Sequence, residues 1–87
     1  METNNLDLSV YELECCFEHL RYQLLLKTTK IFSSKTYSLR MAAQIESLTK
    51  LGLVLVRAYR RRSDHNTGLA DVMFCYFDAV LKWVNTR

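Results

Sequence analysis

The side chains that most often bind metals or transfer protons are few in this sequence, and their spacing matches no metal or catalytic motif. His19 and His65 lie far apart, and neither is followed three or four residues later by a second metal ligand. Cys15, Cys16 and Cys75 lack the spacing of a zinc site or of a CxxC redox motif, so we expect three free thiols that pack as small apolar side chains. The sequence therefore predicts no enzyme, no bound metal and no cofactor.

Basic residues suggest another chemistry, contact with phosphate groups. Lys50, Arg57 and Arg61 recur at intervals of seven and four residues, which places them on one face of a helix. Arg60 and Arg62 flank that face. Such a row could contact the phosphates of a nucleic acid, and binding would then weaken steeply with salt. If the helices fold back on one another, this surface would be extended by Lys27, Lys30, Lys35 and Arg40.

The uneven charge distribution also has an explanation that needs no partner. The first 20 residues carry five acids and no Lys or Arg, whereas residues 21–62 carry ten Lys or Arg and one acid. Acids at the start of a helix and bases at its end complement the helix dipole. That pattern is expected from Glu12, Glu14 and Glu18 before Lys27 and Lys30, and from the arginines at 57–62. Both interpretations of the basic residues stay open.

A further feature is apolar surface beyond what one core needs, since 49% of the residues are apolar. Exposed apolar patches commonly mark interaction sites. Two helices with two apolar faces predict another layer, which would be a fourth helix, a second copy or a partner protein. One helix wedged between two others would explain only one of the two. The residues predicted to form this partner or dimer interface are Tyr11, Cys15, Tyr22 and Leu26 in the first helix, and Leu53 and Val54 in the second.

Three long helices are predicted to position these residues. The chain has no proline and two glycines, whereas sheet proteins need many turns. We expect helices over about residues 9–32, 35–62 and 67–85. The segment SVYE predicts a capping box from Ser9 to Glu12, and either Ser34 or Ser38 can cap the second helix.

Apolar residues at intervals of three, four and seven predict the core side of each helix. In the segment LGLVLV we expect Leu51, Gly52 and Leu55 to face inward, although its β-branched valines leave a local strand open. The predicted core residues are Val10, Leu13, Phe17, Leu20, Leu24 and Ile31, then Tyr37, Met41, Ile45, Leu48, Gly52, Leu55 and Tyr59, and finally Leu69, Met73, Tyr76, Phe77, Val80 and Val84.

These observations predict an all-α fold, a three-helix antiparallel bundle running up, down and up, with residues 1–87 as one domain. Two such bundles would dimerise into a larger helical bundle. The function predicted first is a small non-enzymatic protein-binding module, such as an inhibitor, adaptor or chaperone, which occupies a partner's surface as a homodimer. The alternative is a dimeric nucleic-acid-binding regulator that uses the basic face and the end of the second helix. A third hypothesis is a purely structural oligomer with no other ligand.

The sequence also predicts where the protein works. No apolar run approaches the roughly 20 residues that cross a bilayer. The first nine residues, METNNLDLS, are polar and acidic, unlike a signal peptide. We therefore expect a cytoplasmic protein with no membrane partner.

Overall fold

The computed structural model describes residues 8–34 and 38–86, and these residues form three helices. They are α1 (Val10–Ser34), α2 (Leu39–Arg60) and α3 (Thr67–Asn85). The described ranges contain no strand, which confirms the all-α prediction and shows that the segment LGLVLV is helical.

Hydrogen bonds to side chains fix where each helix begins. The Ser9 amide donates to Glu12 Oε1 at 2.8 Å and the Glu12 amide donates to Ser9 Oγ at 3.1 Å, so the predicted capping box is present. Ser38, the second of the two predicted caps, accepts from the Met41 amide at 3.1 Å. Asn66 Oδ1 accepts from the Leu69 amide at 3.0 Å and starts α3.

The predicted helix bounds are correct for α3 and need adjustment for the other two. α1 continues to Ser34, two residues further than predicted, and α2 ends at Arg60 because the last two arginines of the basic segment lie in the turn. The predicted start of the second helix at residue 35 and the predicted core residue Tyr37 lie outside the described residues.

Contacts between helices give the predicted up-down-up order. Early α1 lies beside late α2, since Tyr59 Oη donates to Glu14 Oε2 at 2.7 Å. Arg60 at the end of α2 pairs with Asp71 near the start of α3 at 3.1 Å. Consecutive helices are therefore antiparallel, and α2 packs against both of the others.

The core lies where the three helices meet. The Phe17 ring of α1 lies 5.2 Å from the Tyr59 ring of α2 and 6.3 Å from the Phe77 ring of α3, measured between centroids. All three side chains are fully or almost fully buried. The predicted stripe of α1 is confirmed, with Val10 half-buried and the rest buried: Leu13, Phe17, Leu20, Leu24 and Ile31.

The second helix departs most from its predicted orientation. It buries three residues that the predicted stripe omitted, Thr49, Val56 and Ala58, because it packs on two sides. Leu51, predicted to face inward, is 39% exposed, so that prediction is wrong. Leu53, predicted to face outward, is half-buried and packs against the core.

Gly52 marks the closest approach of α2 and α3. A Cβ atom at this position would lie 2.6 Å from the ring of Phe77, which real Cβ atoms do not tolerate. The Phe77 ring cannot retreat easily because it is fully buried and lies between the rings of Phe17 and Tyr76. The glycine therefore permits the packing of the two helices.

We expect Gly52→Ala to lower the free energy of unfolding by about 1–2 kcal/mol. Overpacking of a core typically costs about 1–3 kcal/mol, and the better helix propensity of alanine offsets up to about 1 kcal/mol of it. Urea denaturation followed by circular dichroism measures the change. The control is Gly68→Ala, whose Cβ would meet only Asn66 Oδ1 at 3.4 Å. Equal stability of the two variants would contradict the close-approach argument.

Tyr59 links the start of α1 to the turn before α3. Its hydroxyl donates to Glu14 Oε2 at 2.7 Å and accepts from the Asn66 amide at 2.9 Å. Burial, and then the hydrogen bond to the Glu14 carboxylate, raise the pKa of Tyr59. The protonated hydroxyl thus satisfies a carboxylate and a backbone amide that α1 and the turn present to it.

We expect Tyr59→Phe to lower the free energy of unfolding by about 1–2 kcal/mol, because it leaves the partly buried Glu14 carboxylate and the Asn66 amide without their partner. Tyr22→Phe removes the same atom from a side chain that is 58% exposed, and should change stability by less than about 0.5 kcal/mol. Thermal and urea denaturation of both variants measure this difference in the free energy of unfolding. A Tyr59→Phe variant as stable as Tyr22→Phe would refute the bridging role.

Candidate interaction surface

The outer face of α1 carries an apolar stripe that no described helix covers. Its residues are Tyr11, Cys15, Tyr22 and Leu26, and we call them the α1 stripe. Tyr11 is 74% exposed, Tyr22 is 58% exposed and Leu26 is 48% exposed, and Cys15 is exposed as well. The same helix buries its opposite face in the core. The neighbouring Leu25, 53% exposed, widens the stripe.

The α1 stripe contains few polar groups, namely the hydroxyls of its two tyrosines and the thiol of Cys15. A hydrogen bond with the Cys15 thiol, one helical turn away, raises the pKa of Tyr11. All three cysteines are free, as predicted, but only Cys16 is even half-buried, because Cys15 and Cys75 are exposed and do not pack in the core. The stripe therefore presents mainly aromatic and aliphatic surface, with only tyrosine hydroxyls and one thiol as polar groups. This composition suits protein interfaces.

A groove between α1 and α2 adjoins the α1 stripe. Its cavity volume is about 620 Å³, and the buried Leu20 and the half-buried Leu48 form its floor. The walls are polar or basic, with His19, Gln23 and Lys27 from α1 and Arg40, Gln44 and Ser47 from α2, and Ala43 completes the lining. An adjoining recess of about 330 Å³ adds Leu26, Lys30 and Met41. No carboxylate belongs to the described lining of either cavity.

A side-chain hydrogen bond between described residues crosses this groove. Lys27 Nζ donates to Gln44 Oε1 at 3.5 Å. The sequence predicts Lys27 and Arg40 only as additions to a basic surface, and it does not predict the groove. The apolar floor between them depends on how α1 packs on α2, and no spacing within a single helix reveals it.

The row formed by Lys50 and Arg57 on the outer face of α2 continues to Arg61, the residue that caps the helix, and all three side chains are exposed. Lys50 pairs with Glu46 at 3.3 Å. Arg57 and Arg61 form no ion pair with the described part of the chain. Val54, 46% exposed, stands among these bases.

The other two arginines of the predicted basic patch have structural contacts. Arg60 lies between α2 and α3, where its guanidinium pairs with Asp71 and sits 5.2 Å from the centre of the Phe74 ring. The Arg62 carbonyl lies 2.6 Å from His65 Nδ1 within the turn. The structure therefore does not gather all five basic residues into one free surface.

The predicted interface residues also divide between surfaces. Leu53 lines a small recess of about 180 Å³ at the α2–α3 boundary, together with Arg57 and Phe74. The α1 stripe lies on another helix, so Leu53 does not join it in one patch. Tyr11, Cys15, Tyr22 and Leu26 do share one continuous helix face, as their spacing predicted.

Metal-binding clusters and membrane-spanning helices are both absent from the described residues. Within residues 8–34 and 38–86, no three His, Cys, Asp or Glu side chains stand close enough together to hold a metal ion. None of the three helices, over the residues described, combines the length and apolar character needed to cross a bilayer. Comparisons with models of protein families, with curated proteins and with solved structures found no match.

Proposed function

We propose that this protein is a small non-enzymatic protein-binding module that works as a homodimer and acts by occupying the surface of a partner protein. Inhibitors, adaptors and chaperones belong to this class. The observation that carries the proposal is the exposure of the α1 stripe, because a monomer leaves Tyr11, Tyr22 and Leu26 in water although their helix already contributes a full apolar face to the core.

The dimensions of the stripe suit a helix-to-helix interface. Tyr11 and Leu26 are 15 residues apart, which corresponds to about 22 Å along a helix. Burial of apolar surface stabilises association by about 25 cal/mol per Å² before the costs of ordering are subtracted. Tyrosines at the centre of an interface are among the side chains that contribute most to binding.

The charges beside the stripe favour an antiparallel pair of α1 helices. Glu12 and Glu18 lie beside its first half, and Lys30 lies about one helical turn beyond its end at Leu26. Two copies packed antiparallel would bring the acidic half of one helix against the basic half of the other. Opposite charges along the rim of an interface favour one orientation over its alternatives.

The test of the dimer uses Tyr22→Glu, which places a charge at the middle of the stripe. Light scattering should give twice the chain mass for the parent protein at tens of micromolar, and the mass of one chain for Tyr22→Glu. Loss of a central aromatic anchor weakens an interface by about 2 kcal/mol or more, roughly a thirtyfold increase in the dissociation constant.

Cys75→Glu is the matched control, because it also places a glutamate on an exposed helix position, on the outer face of α3. It should keep the dimer mass. Circular dichroism should show the same helicity in all three proteins, since both substituted side chains are exposed. A monomeric parent, or Tyr22→Glu with the parent's mass, would reject the α1 stripe as the dimer interface.

Nucleic-acid binding is the second candidate, and the free charges on the outer face of α2 favour it. Arg57 and Arg61 have no ion pair with the described residues, and Lys50 continues the row toward the start of the helix. The row extends over about 16 Å, from residue 50 to residue 61. It is shorter than the predicted patch, because the Arg60 guanidinium pairs with Asp71 and Arg62 lies half-buried in the turn after α2.

A labelled DNA duplex tests this candidate. If the row binds phosphates, Arg57→Glu with Arg61→Glu should reduce the slope of log affinity against log salt by about two, since each phosphate contact contributes about 0.9. The control is Arg21→Glu with Lys82→Glu, which makes the same charge change at cations that pair with Glu18 and Asp78. Equal duplex affinity in the parent and in the Arg57/Arg61 variant would end this proposal.

A further inference from the structure

We infer that the groove between α1 and α2 binds an acidic amphipathic helix of the partner protein. The inference rests on the proposed binding function and specifies the chemistry of the partner. It concerns a surface next to the α1 stripe, and the two surfaces meet at Leu26, which belongs to the stripe and also lines the recess beside the groove.

The shape of the groove suits a helix of about three turns. Its lining residues run along α1 from His19 to Lys30, eleven residues or about 16 Å. The apolar floor, Leu20 and Leu48, follows the groove between two antiparallel helices, where the ridge of a third helix can pack. A helix that lays its apolar face into such a groove is a common mode of peptide recognition.

The charge of the groove selects an acidic occupant. Lys27 and Arg40 line opposite walls, and no carboxylate belongs to the described lining. Arg40 forms no ion pair with the described residues. A partner with Glu or Asp on both sides of its apolar face would place them against these cations.

The helix dipole does not account for these cations. Arg40 lies in the first turn of α2, where the dipole favours negative charge, and this turn contains no acid. Lys27 lies before the last turn of α1, which contains no base. Since the effect of the dipole falls off within the terminal turn, neither side chain is placed where it would stabilise its own helix.

Other anionic occupants fit less well. Nucleic-acid backbones bind basic surfaces without an apolar floor, and the outer face of α2 is the better candidate for phosphate contacts. A small acid would need a cation held inside an enclosed pocket, whereas Arg40 is exposed and the groove is open along its length. An acidic amphipathic helix uses both the apolar floor and the two basic walls.

The experiment uses a labelled synthetic helical peptide of 16 residues, with leucines at i, i+3, i+4 and i+7 and glutamates on the flanks. The comparison peptide carries glutamine in place of every glutamate. Fluorescence anisotropy should show that the acidic peptide binds the 87-residue protein at least tenfold more tightly than the glutamine peptide. The difference should shrink as salt is added.

Two groove variants and one control locate the binding site. Lys27→Glu with Arg40→Glu should weaken acidic-peptide binding at least tenfold. Ala43→Trp, at an exposed lining position, should block the groove without a change of charge. Arg57→Glu with Arg61→Glu makes the same charge change on the outer face of α2 and should alter binding less than twofold. Circular dichroism checks that each variant keeps its helicity.

The outcomes separate this inference from the proposed dimer. An acidic peptide that does not bind, that binds no better than the glutamine peptide, or that binds the groove variants as tightly as the parent overturns the inference. If Lys27→Glu with Arg40→Glu converts the dimer to a monomer, the occupant is a second copy, which also overturns it. Peptide binding that persists in Tyr22→Glu supports the inference whether or not that variant changes the mass.

Discussion

The packing of this protein depends on the close approach of α2 and α3 at Gly52, where the ring of Phe77 occupies the space of a side chain. Phe17 of α1 packs against both Phe77 of α3 and Tyr59 of α2. The position of α1 therefore depends on the close approach of α2 and α3. The Tyr59 hydroxyl then holds the start of α1 to the turn before α3. With its core contacts concentrated on one side of α1, that helix keeps a second apolar face toward solvent.

Much of the fold could be predicted because its determinants are local. The spacing of Leu13, Phe17 and Leu24 fixes one face of α1 whatever packs against it, and the same periodicity places Tyr11 and Tyr22 on the other side. The capping box from Ser9 to Glu12 is formed by residues three apart, so the sequence contains both of its members. The three helices and the exposure of the α1 stripe follow from such short-range rules.

The parts that could not be predicted depend on residues far apart in the sequence. Thr49 looks polar, yet it is fully buried because its hydroxyl donates to the Ile45 and Glu46 carbonyls of its own helix while α2 packs on two sides. Arg60 looked like part of a basic patch, but packing brings Asp71 and Phe74 to it. The groove likewise exists only because α1 and α2 pair in one register.

The charged residues fall into two groups. In one group the charge complements the dipole of the residue's own helix, and in the other it does not. Glu12 in the first turn of α1, and Arg57 and Arg60 in the last turn of α2, complement the helix dipole. Lys27 and Arg40 do not, although the sequence analysis assigned the late lysines of α1 to the same effect. Because a first-turn arginine works against its own helix, a cost of a few tenths of a kcal/mol is expected at Arg40. If the groove binds an acidic helix as proposed, an anionic group on that helix would compensate for this cost in the bound state.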